Sequence, residues 1–343
     1  MPISFRKHEE FFTFHDPMQD GKLIDRKTEI RFDPLTGETS RIIFDPGAPF
    51  IPKDFAPLAK ETEGAKCPFC PENVSKTTPR FPNELVEGGR FIGKEAVVFP
   101  NLFPYSKHNA VVRMSEQHFV KLEEFTESII ADSFKAAHRY IEKVLEFDDQ
   151  TAYVSVNWNY LPPSGGSILH PHIQVLASEL PTNYQSKITS DSRAYYDKEG
   201  DNYLTSLATE ERNLEERWIS QEGSISWLHA YAPKSHYDFI GVFEAPSFND
   251  LGSENYEDLA KSMLHFFLYF KEQGVESFNA ILHIPVKKHA AEQVHFRLIP
   301  RMTIGMLETS DMNVFTFLQG EPLSLKAPET VAKEVRKFFI EGK

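Results

Sequence analysis

Apolar residues recur along the chain with two different periods. Across residues 126–147, Ile130, Phe134, Ala137, Tyr140, Ile141 and Val144 fall at three- and four-residue spacing, which predicts an amphipathic helix with one buried stripe. Residues 255–274 repeat the pattern with Leu259, Met263, Phe266, Phe267 and Phe270, and Gly274 supplies a C-terminal stop. A further helix is expected over 327–339. Short β-prone runs stand between the helices, at 95–100, 109–114, 151–159, 224–232, 238–243, 278–284 and 293–299. Residues 27–44 read as a hairpin turning through Asp33-Pro34-Leu35-Thr36-Gly37. The Pro-, Gly- and charge-rich segment 45–66 reads as an irregular surface connection. Ser115-Glu116-Gln117-His118 reads as a helix start, with Ser115 as N-cap and His118 in the first turn.

The order strand, strand, helix, strand, strand occurs twice at similar separations, which points to an internal duplication. The expected fold is α+β, with an antiparallel sheet and flanking helices in each half. Residues 1–180 form the first half and 224–343 the second. The polar stretch 181–223, with two helical pieces, links them. In this alignment Gln293, His295 and Arg297 occupy the places of His170, His172 and Gln174.

Composition narrows the function classes. The 343 residues, 41% of them hydrophobic, can bury one large core or two smaller ones, and 29 Phe make that core aromatic. A net charge of −13 without a lysine or arginine cluster disfavours nucleic-acid backbone binding. No apolar run is long enough to span a bilayer, and residues 1–15 lack a signal-peptide core. With 2 Cys, a disulfide framework is excluded and a reducing cytoplasm is expected. Those two lie in Cys67-Pro68-Phe69-Cys70-Pro71, which can be a redox pair, half of a zinc site or two incidental thiols. No βαβ pattern surrounds them and a proline follows each, so zinc is preferred. Two thiolates fill half of a tetrahedral shell, and histidines are the usual remaining donors.

The densest chemistry lies in Gly165-Gly166-Ser167-Ile168-Leu169-His170-Pro171-His172-Ile173-Gln174. If 170–174 is extended, His170, His172 and Gln174 share one face. A bare His-x-His is more often a solvated strand face. Here the glycine pair, which lets backbone approach a ligand, together with the serine and glutamine favours a functional site.

These residues resemble the galactose-1-phosphate uridylyltransferase family of the histidine-triad (HIT) superfamily. The resemblance is carried by Arg31-Phe32-Asp33-Pro34-Leu35-Thr36-Gly37, by Cys67 and Cys70, by the Asn101 segment, and most specifically by Gly166-Ser167 with His170-Pro171-His172-Ile173-Gln174. It implies a duplicated HIT-like fold and a zinc site of Cys67, Cys70, His118 and His170. It also implies that His172 attacks the α-phosphorus of a nucleoside diphosphate sugar and is transiently nucleotidylated. Gln174 and Ser167 would then bind the phosphoryl oxygens, and Asn101 and Asn159 the nucleotide. A sugar phosphate or inorganic phosphate would take the nucleotidyl group, and family members are often homodimers.

The chain departs from the family at a second metal site. Ile188 and Gln293 stand at ligand positions there, so His283 and His295 are expected as buried or ligand-facing strand histidines without metal, counted with Arg297, which could meet a sugar phosphate, among the substrate-binding candidates. Alternatives to the transferase are a nucleotide-sugar or dinucleoside polyphosphate phosphorylase or hydrolase, and a non-catalytic zinc-containing nucleotide-binding protein.

Overall fold

A computed structural model describes residues 3–44 and 51–341 of the chain. Its centre is one antiparallel ten-stranded sheet. The first half contributes β4 (Phe91–Ile92), β5 (Val97–Pro100), β6 (His108–Arg113), helix α3 (Glu127–Phe147), β7 (Tyr153–Tyr160) and β8 (His172–Ser178). After α4 (Asn183–Glu199) and α5 (Tyr203–Leu214), the same series recurs. It runs β9 (Trp218–Glu222), β10 (Ile225–His229), β11 (Phe239–Phe243), α6 (Ser253–Glu272), β12 (Ser277–Pro285) and β13 (His295–Arg301). The spatial order β4-β5-β6-β8-β7-β12-β13-β11-β10-β9 reads the same from either edge when each strand is exchanged for its counterpart. The halves meet at β7 and β12, paired from Phe278 opposite Tyr160 to Pro285 opposite Tyr153. The repeat is one strand longer in each half than its β-prone runs foretell, because β4 has only two residues and β9 lies in the polar stretch after α5.

The duplicated helices lie side by side on one face of this sheet. Thr126 caps α3, its Oγ1 accepting from Ile129 N at 3.2 Å. The stripe Ile130, Phe134, Ala137, Tyr140, Ile141 and Val144 is at most 1% exposed. Each large member contributes about 1.5–3 kcal/mol through burial. On α6, Phe266, Phe267 and Phe270 join Trp158, Trp227 and Phe278 in the same core. The helix ends at Gly274, whose φ of 71° is left-handed. The opposite face carries shorter elements. α2 (Pro71–Thr77) and the cysteine loop pack on Val97, Phe99 and Val111 of the first half. α4 and α5 pack on Leu228 and Val242 of the second.

A smaller sheet joins β1 (Arg6–Asp16), β2 (Lys22–Phe32) and β3 (Thr39–Ile42) to β16 (Leu323–Ser324), while β14 (Thr303–Ile304) and β15 (Thr309–Ser310) form a short hairpin. The chain also contains α7 (Val314–Leu318) and α8 (Pro328–Glu341). The hairpin expected over 27–44 is thus β2–β3. β1 went unforeseen because its long ribbon is mostly exposed and lacks strict alternation.

Two local expectations fail. Part of the supposed irregular connection, residues 45–50, lies outside the described residues, but Ala56–Thr62 is a helix, α1. Asp54 Oδ1 accepts from Ala56 N at 2.9 Å and Pro57 sits in the first turn, both local start signals. Conversely, Ser115-Glu116-Gln117-His118 is a bend and not a helix. Ser115 Oγ accepts from Gln117 N at 3.1 Å, closing a turn two residues on. Among the described residues no helix is long and apolar enough to cross a membrane.

Candidate active site and metal centre

Four residues from three segments converge beneath the first half of the sheet. Cys67 and Cys70 come from the loop before α2, His118 from the bend after β6, and His170 from the residues just before β8. All four are buried, and one ligand atom from each lies within 4.8 Å of the others. His170 Nδ1 is 3.7 Å from Cys67 Sγ and 3.8 Å from Cys70 Sγ, while His118 Nδ1 is 3.5 Å from Cys70 Sγ. A tetrahedron with metal–sulfur bonds near 2.3 Å and metal–nitrogen bonds near 2.0–2.1 Å has S···N edges of about 3.6 Å, so the cluster fits a metal of that size.

The outer ring nitrogens support the same orientation. His170 Nε2–H donates to the Ser115 carbonyl at 2.8 Å. Thr62 Oγ1 donates to the Leu58 carbonyl and accepts from His118 Nε2–H at 3.1 Å. Each histidine therefore turns an unprotonated Nδ1 toward the thiols. Burial holds His170 neutral by pushing its pKa to about 4. It pushes the Cys67 thiol up to about 11, so a cation is what would favour the thiolate form. The bend at 115–118, which replaces the expected helix, is what points the Ser115 carbonyl and the His118 ring at this centre.

The strand proper begins at His172, two residues later than the sequence pattern implies, and His170 precedes it. His172 Nδ1–H donates to the backbone carbonyl of His170 at 2.8 Å. A carbonyl can only accept, so Nδ1 carries the proton and Nε2 keeps its lone pair. Burial lowers the pKa of the ring, which favours the neutral form. Phe69, between the two cysteines, lies edge-on to His170 and His172, with centroids 6.2 and 5.3 Å away. Gly166 is tightly enclosed just upstream, since a Cβ there would lie 3.1 Å from the carbonyl oxygens of both Asn159 and Leu161. Ser167 is exposed in the same connection.

Register locates the other candidates. Gln174 lies two residues along β8 on the face of His172 and pairs with Asn157 across β7. The same register carries Asn159 to the level of His172. There the Asn159 Oδ1 accepts from Asn279 Nδ2 at 2.6 Å across the seam. Arg301 holds Asn279 in turn at 2.8 Å. Asn101 stands apart: bonded to Asn109 at 3.0 Å, it lies two strands away and level with Leu176.

His283, His295 and Arg297 lie on the same face but in the second half. Arg297 shares a row with Gln174 three strand spacings away, or about 14 Å. The arginine expected to be available to a sugar phosphate is bonded within the protein. Its Nε donates to Asp238 Oδ1 at 2.7 Å, its Nη2 to Asp238 Oδ2, and its Nη1 to Tyr184 Oη at 3.2 Å. Asp238 is fully buried, so the guanidinium charge is answered inside the protein. His283 stacks on Tyr184 and on His295, each at 4.8 Å, and these rings line a cavity of about 330 Å³ with Ile188 and Gln293.

Sequence reasoning missed Phe69, Tyr184, Asp238 and Asn279. Only pairing between distant segments gives them a role; the nearest local signal is the place of Phe69 inside the cysteine motif.

No family model matches the sequence. An uncharacterized protein of Archaeoglobus fulgidus is 31% identical over 341 residues, covering 99% of this chain and 100% of that one. Among solved structures, an ADP-glucose phosphorylase of Arabidopsis thaliana with bound ADP-glucose superposes with a TM-score of 0.68 at 17% identity, over 90% of this chain and 99% of that one. A uridylyltransferase gives 0.67 at 19%, over 91% and 98%. A GalT-like protein of Arabidopsis thaliana gives 0.68 at 18%, over 90% and 98%. At these identities the structural likeness is one of fold.

Proposed function

The chain belongs to one family with the Archaeoglobus fulgidus protein and has the fold of the uridylyltransferase, and from that premise we propose that it is a nucleotidyltransferase acting on nucleoside diphosphate sugars. The observation that carries the proposal is the His172 Nδ1–H bond to the His170 carbonyl, which leaves Nε2 as a neutral nucleophile. In the first step Nε2 attacks the α-phosphorus, an N–P bond forms, and the P–O bond to the leaving sugar phosphate breaks. The imidazolium positive charge that develops is stabilised by the carbonyl already bonded to Nδ1–H. Gln174 and Ser167 are assigned to the phosphoryl oxygens and Asn159 to the nucleotide phosphates. In the second step an oxygen of a sugar phosphate or of inorganic phosphate attacks phosphorus and the N–P bond breaks, freeing His172.

Cys67, Cys70, His118 and His170 would hold zinc as a closed four-ligand site whose contribution is structural. These residues anchor the ring of His170 while its backbone carbonyl orients the nucleophile. Structure and chemistry are thus joined through a single residue.

The test is intact-mass analysis after incubation with UDP-glucose, ADP-glucose and a GDP-sugar. A one-nucleotidyl mass increase is expected with one of these donors, with turnover falling about 10⁴-fold or more in His172→Asn. No adduct from any donor, in zinc-loaded protein, overturns the mechanism. Supplying inorganic phosphate or a hexose phosphate to the adduct identifies the acceptor.

A further inference from the structure

The cavity beside His295 takes no part in the chemistry proposed for His172. Register sets His295 four residues along and three strands across from His172, about 20 Å away. The cavity has a polar but uncharged floor. Tyr184, His283 and His295 stack there, His283 is 6% exposed, and its Nδ1 has no hydrogen-bond partner. Burial favours the neutral form of both imidazoles, lowering His295 to about 4 and His283 well below its ordinary value. Ile188 and Pro285 make apolar walls.

The rim differs in charge. Lys287 and Lys288 are exposed on the connection between β12 and β13, and Arg193 also lines the opening. Glu292 answers Arg193 at 2.6 Å, and Asp250 lies 3.5 Å from Lys288, so an excess of positive charge remains in a chain of net charge −13. The volume of about 330 Å³ falls within the range of about 300–1,000 Å³ that accepts small ligands. The lysine-bearing connection is the duplicate of the one that carries Gly166 and Ser167 ahead of His172.

We propose that this cavity is a second, non-reacting ligand site that takes a nucleoside monophosphate. The uncharged floor and apolar walls suit the base and ribose, with a ligand polar group meeting His283 Nδ1. The phosphate stays at the rim against Lys287 and Lys288, where it keeps part of its hydration. The site stands apart from His172, and its test is read separately.

Calorimetric titration of the full chain with UMP and AMP compares three proteins. They are the wild type, Ile188→Trp, which fills the cavity, and the double variant Lys287→Glu/Lys288→Glu. The wild type should bind one equivalent of UMP or AMP more than Ile188→Trp, and charge reversal should weaken that equivalent at least tenfold. Equal stoichiometry and affinity in all three overturns the proposal, as does inorganic phosphate binding at the same place as tightly as either nucleotide. Should Ile188→Trp fail to fold, the lysine variant, changed only at exposed positions, decides alone. Adduct formation at His172 in the same samples bears on the other site only, so failure of one reading leaves the other measurable.

Discussion

The two halves build the same unit and set its opening histidine in different surroundings. His172 and His295 each open the last strand of their copy of the repeat. Each makes a bond from Nδ1 to the carbonyl two residues earlier, at 2.8 and 3.1 Å. In the first half that carbonyl belongs to His170, in the metal-fitting cluster, and a glycine–serine segment precedes it. In the second it belongs to Gln293, a lysine-bearing segment precedes it, and the ring is stacked on His283. Two residues further on, Gln174 has its place taken by Arg297, which Asp238 holds. The shared backbone geometry therefore does not by itself mark out the histidine proposed as nucleophile. What surrounds it, and what fixes the carbonyl behind it, separates the two positions.

The largest effect should come from breaking the anchor that one half has and the other lacks. Cys67→Ser should lower bound zinc and stability together, by about 5 kcal/mol or more, because site formation and folding are coupled. Metal content by plasma spectrometry and urea unfolding check this; unchanged zinc would rule out the four-ligand assignment.

Next in size is the ion pair peculiar to the second half. Asp238→Asn strands a buried guanidinium and should cost about 3–5 kcal/mol in urea unfolding, and a loss under about 1 kcal/mol would contradict the pairing.

The third test exploits the buried neutral histidines. His295 and His229 have folded-state pKa values lowered to about 4 by burial, against about 6.5 unfolded. The unfolded chain thus binds more protons between those values. Each histidine contributes stability that is full above about pH 6.5 and is lost as pH falls toward 4, at up to about 1.4 kcal/mol per unit. The slope of stability against pH in this window should flatten in His295→Gln. An unchanged slope would show that His295 titrates normally.

The smallest effect concerns the partner behind one metal-site ring. Thr62→Val removes the acceptor of His118 Nε2–H and should weaken zinc binding about tenfold, measured by competition with a chelator. A full-affinity variant would show that Thr62 does not orient the ring.

Much of this architecture was legible locally. The stripes of α3 and α6 are apolar at helical spacing, and most strands occupy the expected runs. The duplicated order of elements is visible before any coordinates. The cysteine pair and the two histidines of 170–172 are close enough in sequence to announce themselves. What stayed hidden depends on pairing across the chain. Ser115-Glu116-Gln117-His118 has the residues of a helix start, yet Ser115 closes a turn, and the bend brings His118 to Cys70 from 48 residues away. Arg297 reads as a free cation until Asp238, 59 residues earlier, is seen against it.

The sequence by itself determined the helices, the repeat, and the residue types available to a metal centre and a nucleophile. Periodicity and short motifs are local properties, set by which side chains must leave water and which backbone angles a residue tolerates. The tertiary structure decided which candidates act together. The pairing of β7 with β8 fixed the row that holds Asn159 near His172, and the seam between β7 and β12 set Arg297 far from it. Burial then required Arg297 to find Asp238. The convergence of three distant segments put His170, whose carbonyl accepts from His172 Nδ1–H, into the metal-fitting cluster.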